Sequence, residues 1–142
     1  MKCIAIIAAV LSLMFSSSFA LAEGKIPSSV GKWDVETKGG VMLNSDKESS
    51  ITHWTPGQKV LNGQLEIISQ DDRFVKGTYT SARGSEKNIG MISSDGKFMY
   101  SVDADGFVDW KIVGKDKLEG IYRHANPSDS VVAIRIAKRQ KM

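Results

Sequence analysis

Turn-forming dipeptides recur at short intervals from about residue 30 onward, and they limit the possible fold more than any other feature of the sequence. The dipeptides are Gly39-Gly40, Pro56-Gly57, Asn62-Gly63, Asp71-Asp72, Arg83-Gly84, Asp95-Gly96, Asp105-Gly106 and Asn126-Pro127. The segments between them are rich in Val, Ile, Phe, Tyr and Trp and show no sustained helical period. Evenly spaced short segments of this type are typical of an all-β sandwich or barrel.

Apolar and polar residues alternate within these segments, as expected for antiparallel strands with one buried face. Val75, Gly77 and Tyr79 share one face, and we expect the groups Phe98–Tyr100–Val102 and Val132–Ile134–Ile136 to be buried in the same way. We predict a further short strand near 51–55. The main predicted strands are 30–37, 64–69, 73–81, 87–93, 97–103, 107–113, 117–123 and 130–137.

Asp95-Gly96 and Asp105-Gly106 are favoured hairpin dipeptides, so the strands on either side of each should pair as neighbours. A meander of this kind has two exposed edges, and closure into a barrel removes both. About eight strands enclose just enough room for side chains or for one small ligand. The predicted fold is therefore all-β: an antiparallel up-and-down meander of about eight strands that closes into a small barrel.

The amino terminus has the pattern of a secretory signal peptide. A basic start precedes an apolar run from Ile4 to Phe15, and Ala20-Leu21-Ala22 forms an A-x-A cleavage site. We expect cleavage after Ala22, leaving one domain over 23–142 in a periplasm or outside the cell. Cys3 is the only cysteine, so the mature chain has none, which excludes disulfides and thiolate chemistry and points to a bacterial source.

The charge balance gives no sign of a nucleic-acid partner. Nineteen basic and sixteen acidic residues give a formal charge of +3. Lys2 is the only charged residue of 1–22, so the mature chain has 18 basic and 16 acidic residues and a charge of +2. So small a surplus does not make a basic footprint. We also expect no transmembrane segment after cleavage.

Gly31-Lys32-Trp33 resembles the G-x-W that opens the first strand of calycin barrels, the group that includes lipocalins and avidins. The resemblance implies that Trp33 closes one end of the barrel. It also implies that a basic residue late in the barrel packs against this Trp, and we assign that role to Arg135.

Two further segments resemble avidin strands that line the ligand pocket. They are 77–82, which contains Tyr79, and 106–111, which contains Trp110. The resemblance implies that both rings line a pocket. Residues 34–38 lack the Asn and Ser that avidins carry after the opening Trp, so the resemblance does not extend to biotin binding.

The aromatic residues are the best candidates for a binding site. If Tyr79, Tyr100, Trp110 and Tyr122 face inward, they form an apolar chamber with three hydroxyl groups, as in a small-molecule pocket. Together with Trp33 they are the predicted ligand-binding residues. The alternative is that these rings only fill a solid barrel.

The sequence gives no support for a metal, a cofactor or a catalytic centre. Residues 101–112 match an EF-hand loop in part, but Ile112 replaces the bidentate Glu and strands flank the segment, so we predict a hairpin turn. His53 and His124 have no second ligand at metal-binding spacing, and there is no G-x-S-x-G motif. We therefore predict a protein that is not an enzyme.

Two functions remain. In the first, the barrel binds a small, largely apolar molecule in its interior. In the second, a solid barrel acts as a protein-interaction module, such as an inhibitor of an exported enzyme, and contacts its partner through 38–63 and Trp54. An interior cavity of at least about 300 Å³ favours the first function. A filled interior with an exposed Trp54 favours the second.

Overall fold

A single antiparallel meander forms a closed barrel in which the last strand pairs with the first. The computed structural model describes residues 25–44, 46 and 53–141. The predicted leader, 1–22, lies outside these residues, as do 51 and 52 of the predicted additional strand, while 53–55 are not in a strand. The strands are β1 Gly31–Leu43, β2 Val60–Asp71, β3 Phe74–Ser81, β4 Gly84–Ile92, β5 Phe98–Val102, β6 Phe107–Ile112, β7 Lys117–Ala125 and β8 Asp129–Arg139. The predicted fold class is confirmed.

Four of the dipeptides predicted as turns show two different outcomes. Asp95-Gly96 and Asp105-Gly106 join paired neighbours, β4 with β5 and β5 with β6, as predicted. Gly39-Gly40 and Asn62-Gly63 instead lie within β1 and β2. A Cβ on Gly39 would lie 2.2 Å from the Val132 carbonyl oxygen, so this glycine allows β1 and β8 to approach closely.

The barrel has two differently built ends. At the Trp33 end lie the segment 25–30 and the turns 72–73, 93–97 and 113–116. At the loop end lie residues 53–59 of the β1–β2 connection and the turns 82–83, 103–106 and 126–128. Inward side chains at the Trp33 end form a tightly buried apolar core. Its members include Trp33, Ile67, Val75, Ile92, Met99, Trp110, Leu118 and Ala137.

Arg139 fixes the Trp33 end. Its guanidinium lies 4.1 Å from the Trp33 ring centre, while its Nε donates to the Lys115 carbonyl at 2.8 Å and its Nη2 to the Ser28 carbonyl at 2.8 Å. The assignment of this role to Arg135 is wrong. Trp33 is paired with Arg139 across β1 and β8, and Arg135 lies four residues, or about 13 Å, further along the strand.

At the loop end, part of the β1–β2 connection is packed against the barrel. Trp54 is 2% exposed, and its Nε1 donates to the Gln58 carbonyl at 2.9 Å. The Arg83 guanidinium donates to the Trp54 carbonyl at 2.9 Å. His53 is buried as well, so the segment 53–58 covers this end through a small number of side-chain contacts.

Candidate functional site

A buried arginine lies between two inward-facing tyrosines in the loop-end half of the barrel. Arg135 of β8 is 4% exposed, and its guanidinium carbon lies 4.5 Å from the Tyr79 ring centre and 4.2 Å from that of Tyr122. Tyr79 comes from β3 and Tyr122 from β7. Desolvated contacts between a cation and an aromatic ring contribute about 2 kcal/mol each, so the three side chains support one another.

Five buried polar atoms in this region have no hydrogen-bond partner among the described residues: His53 Nε2, Glu86 Oε2 and three atoms of Arg135 and its neighbours, namely Arg135 Nε, Tyr79 OH and Thr37 Oγ1. Thr37 is the direct cross-strand partner of Arg135, and its side chain is fully buried. All three atoms are closed off from water, so solvent does not supply the missing partners. Such atoms are uncommon in native proteins, and each costs about 1–3 kcal/mol.

Neither tyrosine neutralises Arg135. Burial raises the pKa of Tyr79, and the Arg135 charge and the nearby Thr37 hydroxyl, which does not reach hydrogen-bond geometry with the phenol, offset this only in part. Burial also raises the pKa of Tyr122 strongly, and the negative charge of Asp103 adds to the effect. Both phenols are therefore neutral at pH 7, and neither supplies a negative charge to the guanidinium.

His53 covers this cluster from the loop end. Its ring meets the Tyr79 ring edge-on at 5.0 Å, and its Nδ1 lies 2.7 Å from Ser81 Oγ. Its Nε2 lies 3.3 Å from a Glu86 carboxylate oxygen, and both side chains are buried. Burial lowers the pKa of His53, although the negative charge of Glu86 opposes this, so the ring is neutral at pH 7.

His124 belongs to a separate network that fixes the turns of the loop end. Its Nε2 lies 2.7 Å from a carboxylate oxygen of the fully buried Asp129, and its Nδ1 contacts the Asp105 carbonyl. Asn126 accepts the backbone N–H groups of Ser128 and Asp129 at 2.8 and 2.9 Å. These contacts hold the β7–β8 turn against the β5–β6 turn.

The segment that resembles an EF-hand forms the end of β5, a turn and β6. The Asp103 carboxylate accepts the backbone N–H groups of Asp105 and Gly106 at 3.1 and 2.7 Å. Asp103 therefore stabilises the predicted hairpin turn. Within the described residues there is no cluster of three or more His, Cys, Asp or Glu side chains that could hold a metal ion.

The predicted site residues occupy different parts of the barrel. Tyr79 and Tyr122 are brought together by Arg135, whereas Trp33 closes the opposite end. Trp110 faces inward but is part of the core, because its Nε1 donates to Ser101 Oγ at 3.0 Å and its ring packs on Gly120.

Tyr100 does not face the interior. It is 51% exposed on the outer surface, and Met99 and Ser101 of β5 point inward instead. The expected burial of Val132 and Ile134 is also wrong, since they are 63% and 60% exposed. A period of two identifies two faces but not which one is inside, and a shift of one residue exchanges them.

Sequence reasoning missed the roles of Arg135, Thr37 and His53. One signal was present for Arg135: it alternates with Ala133 and Ala137 on the inner face of β8. Two small residues on either side of a large one leave room for a long side chain and the rings beside it. No comparable signal marked Thr37 or His53.

At least three surface grooves are bordered by described residues, and none of the three is the interior cavity that the first function requires. Three surface grooves have volumes of about 340, 450 and 390 Å³, and each is lined by residues other than Tyr79, Tyr122 and Arg135. Arg135 Nε, Tyr79 OH and Thr37 Oγ1 are closed off from water, and His53 packs edge-on against the Tyr79 ring.

Comparison with known proteins does not assign the chain to a family. No model of a protein family matches the chain, and no curated protein sequence matches it. The closed eight-stranded barrel is compatible with the calycin resemblance at the level of fold. Among the described residues, no helix has the length and apolar character needed to cross a membrane.

Proposed function

We propose that this chain is an exported, non-enzymatic barrel that binds a small, largely apolar molecule in the loop-end half of its interior. The observation that carries the proposal is the group of unpartnered polar atoms enclosed there by the Tyr79 and Tyr122 rings. A ligand pocket combines apolar and aromatic walls with a few convergent polar groups. In this proposal Trp110 lies in the core below the site, and Trp33 closes the opposite end of the barrel.

The difference between the two ends supports this function. Arg139 ties the Trp33 end to three backbone carbonyls of other segments, those of Ser28, Val30 and Lys115. The loop end is instead covered by the segment 53–58, which depends on side-chain contacts of His53 and Arg83. Loops of this kind open at lower free energy than paired strands do, so ligand access belongs at the loop end.

Export is part of the proposal and rests on the amino-terminal sequence. The apolar run followed by Ala20-Leu21-Ala22 directs the chain to a periplasm or to the medium. The lack of cysteine after residue 22 fits a domain that is stabilised by its core alone.

The second candidate is a protein-interaction module that inhibits an exported enzyme through 38–63. Met42 and Leu43 favour it, because they are 63% and 45% exposed near the end of β1. Trp54 opposes it, because this ring is 2% exposed and cannot serve as a contact without rearrangement. We therefore place the ligand-binding barrel first.

A titration with a neutral apolar dye such as Nile red tests the proposal. Tyr79→Ala should weaken dye binding by about tenfold or more, because it removes a ring from the wall of the site. Tyr100→Ala is the matched control, since this ring lies on the outer surface. Circular dichroism should show that both variants are folded. Equal binding by the wild type and both variants would refute the interior site.

A further inference from the structure

The Arg135 guanidinium keeps its charge but lacks a counter-ion in the described structure. Arginine remains protonated at all physiological pH values, and a buried charge is costly unless it is paired. The defined contacts of Arg135 are the two tyrosine rings, and its Nε has no partner among the described residues. The rings stabilise the cation but accept no conventional hydrogen bond, so the N–H groups at its edge stay available.

The described acidic side chains at the loop end form no ion pair with Arg135. Glu86 Oε2 lies 3.3 Å from His53 Nε2 without forming a hydrogen bond, and Asp129 Oδ1 lies 2.7 Å from His124 Nε2. Asp103 accepts two backbone N–H groups of its own turn. These carboxylates lie close enough to the site for Asp103 and Glu86 to act on Tyr122, yet neither forms an ion pair with Arg135.

Two neutral hydroxyl groups accompany the guanidinium. Thr37 is paired with Arg135 across β1 and β8, and the Tyr79 ring lies under the guanidinium, so the three unpartnered atoms come from neighbouring side chains. Each of the three can donate a hydrogen bond. A single acceptor can therefore satisfy all three atoms, and beside an unpaired cation it should be an anion.

The charge of the site favours a carboxylate over a phosphate. One cation with two neutral donors balances a single negative charge. A doubly charged phosphate would be repelled more strongly than a carboxylate by Asp103, Asp105 and Glu86, whose charges act on His53 and Tyr122.

We propose that the interior site holds the carboxylate head of an otherwise apolar ligand, with Arg135 as its counter-ion and Tyr79 and Thr37 as hydrogen-bond donors. This inference rests on the proposed ligand-binding function and narrows the ligand to a class, apolar monocarboxylates. Because the three atoms are now closed off, binding displaces His53 from the edge of Tyr79 and opens the segment 53–58.

Calorimetric titration of the purified, processed protein with octanoate, octanol and octylamine tests the inference. The three probes share one alkyl chain and differ in the charge of the head. Octanoate should bind about tenfold to a hundredfold more tightly than octanol, as expected for hydrogen bonds to a charged group. Octylamine should bind no better than octanol.

Single substitutions test whether the preference for octanoate over octanol depends on Arg135, Tyr79 and Thr37. Arg135→Met should remove the preference for octanoate while octanol binding persists. Arg123→Met is the matched control, because Arg123 is an arginine on the outer surface paired with Asp109, and it should keep the preference. Tyr79→Phe and Thr37→Val should each reduce octanoate binding and leave octanol binding unchanged. These two keep nearly the same shape, so they test the inference even if Arg135→Met fails to fold.

Each other outcome overturns the inference in a recognisable way. Equal binding of octanoate and octanol would leave the ligand-binding barrel in place and refute the carboxylate site. Tightest binding of octylamine would assign recognition to the acidic side chains of the loop end. If none of the three probes and no neutral dye binds, the proposed function fails together with the inference.

Discussion

Tyr79→Phe should stabilise the unliganded protein, which is the opposite of the usual effect of removing a buried hydroxyl group. Tyr79 is 1% exposed, and its hydroxyl oxygen has neither a protein partner nor access to water. In the unfolded chain the same hydroxyl is hydrated, so folding costs about 1–3 kcal/mol for this atom. Phenylalanine keeps the ring that contacts Arg135 and His53 and avoids this cost.

We expect Tyr79→Phe to raise the free energy of unfolding by about 1 kcal/mol, which is the low end of that range because the denatured chain is partly compact. For a domain of this size the melting temperature should rise by about 4 °C. Urea unfolding followed by tryptophan fluorescence measures the change, and Tyr100→Phe on the outer surface is the control, with a change below about 0.5 kcal/mol. A loss of stability in Tyr79→Phe would show that the hydroxyl has a partner and would refute the reasoning.

Three further predictions concern other parts of the barrel. The free energy of unfolding should fall as the pH drops from 7 through 6.5 and down to the lowered pKa of His53. Burial depresses this pKa, so the unfolded chain binds more protons than the folded protein in this range. His53→Gln should flatten the pH dependence, as measured by urea unfolding over a pH series. Arg139→Met should lower the free energy of unfolding by about 2 kcal/mol, because it breaks the contacts with the Trp33 ring and with backbone carbonyls. A decrease below about 0.5 kcal/mol in thermal unfolding would contradict the role given to Arg139. Gly120→Ala should lower the free energy of unfolding by about 1–3 kcal/mol in the same assay, because its Cβ would lie 2.6 Å from the Trp110 ring. Gly40→Ala is the control, since open space surrounds its Cβ and the free energy of unfolding should change little.

The sequence predicted the architecture well because local signals specify a meander. Alternation defined the strands, and Asp95-Gly96 and Asp105-Gly106 gave the correct hairpins. Asn62-Gly63 was misleading, since it lies inside β2 and lets the Tyr79 ring approach, with a Cβ at Gly63 only 2.3 Å from the Tyr79 hydroxyl oxygen. A dipeptide that favours a turn also suits a position in a strand where no side chain fits.

The candidate site was less predictable because its geometry depends on which face of each strand is inside. Val132 and Ile134 are more hydrophobic than the inner residues Ala133 and Arg135, so hydrophobicity alone selected the wrong face of β8. Tyr100 was misplaced for the same reason. The outer surface of this barrel retains many apolar side chains, and only the register around all eight strands fixes the inner face.

Nuclear magnetic resonance of the arginine side chains is the most direct test of the central claim, that the interior binds its ligand at Arg135. In nitrogen-15-labelled protein, the Arg135 Nε–H signal is identified by its loss in Arg135→Met. Octanoate should shift this signal and slow its hydrogen exchange, while the Arg123 signal stays in place. If octanoate binds and the Arg135 signal does not change, the ligand lies elsewhere and the interior site is refuted.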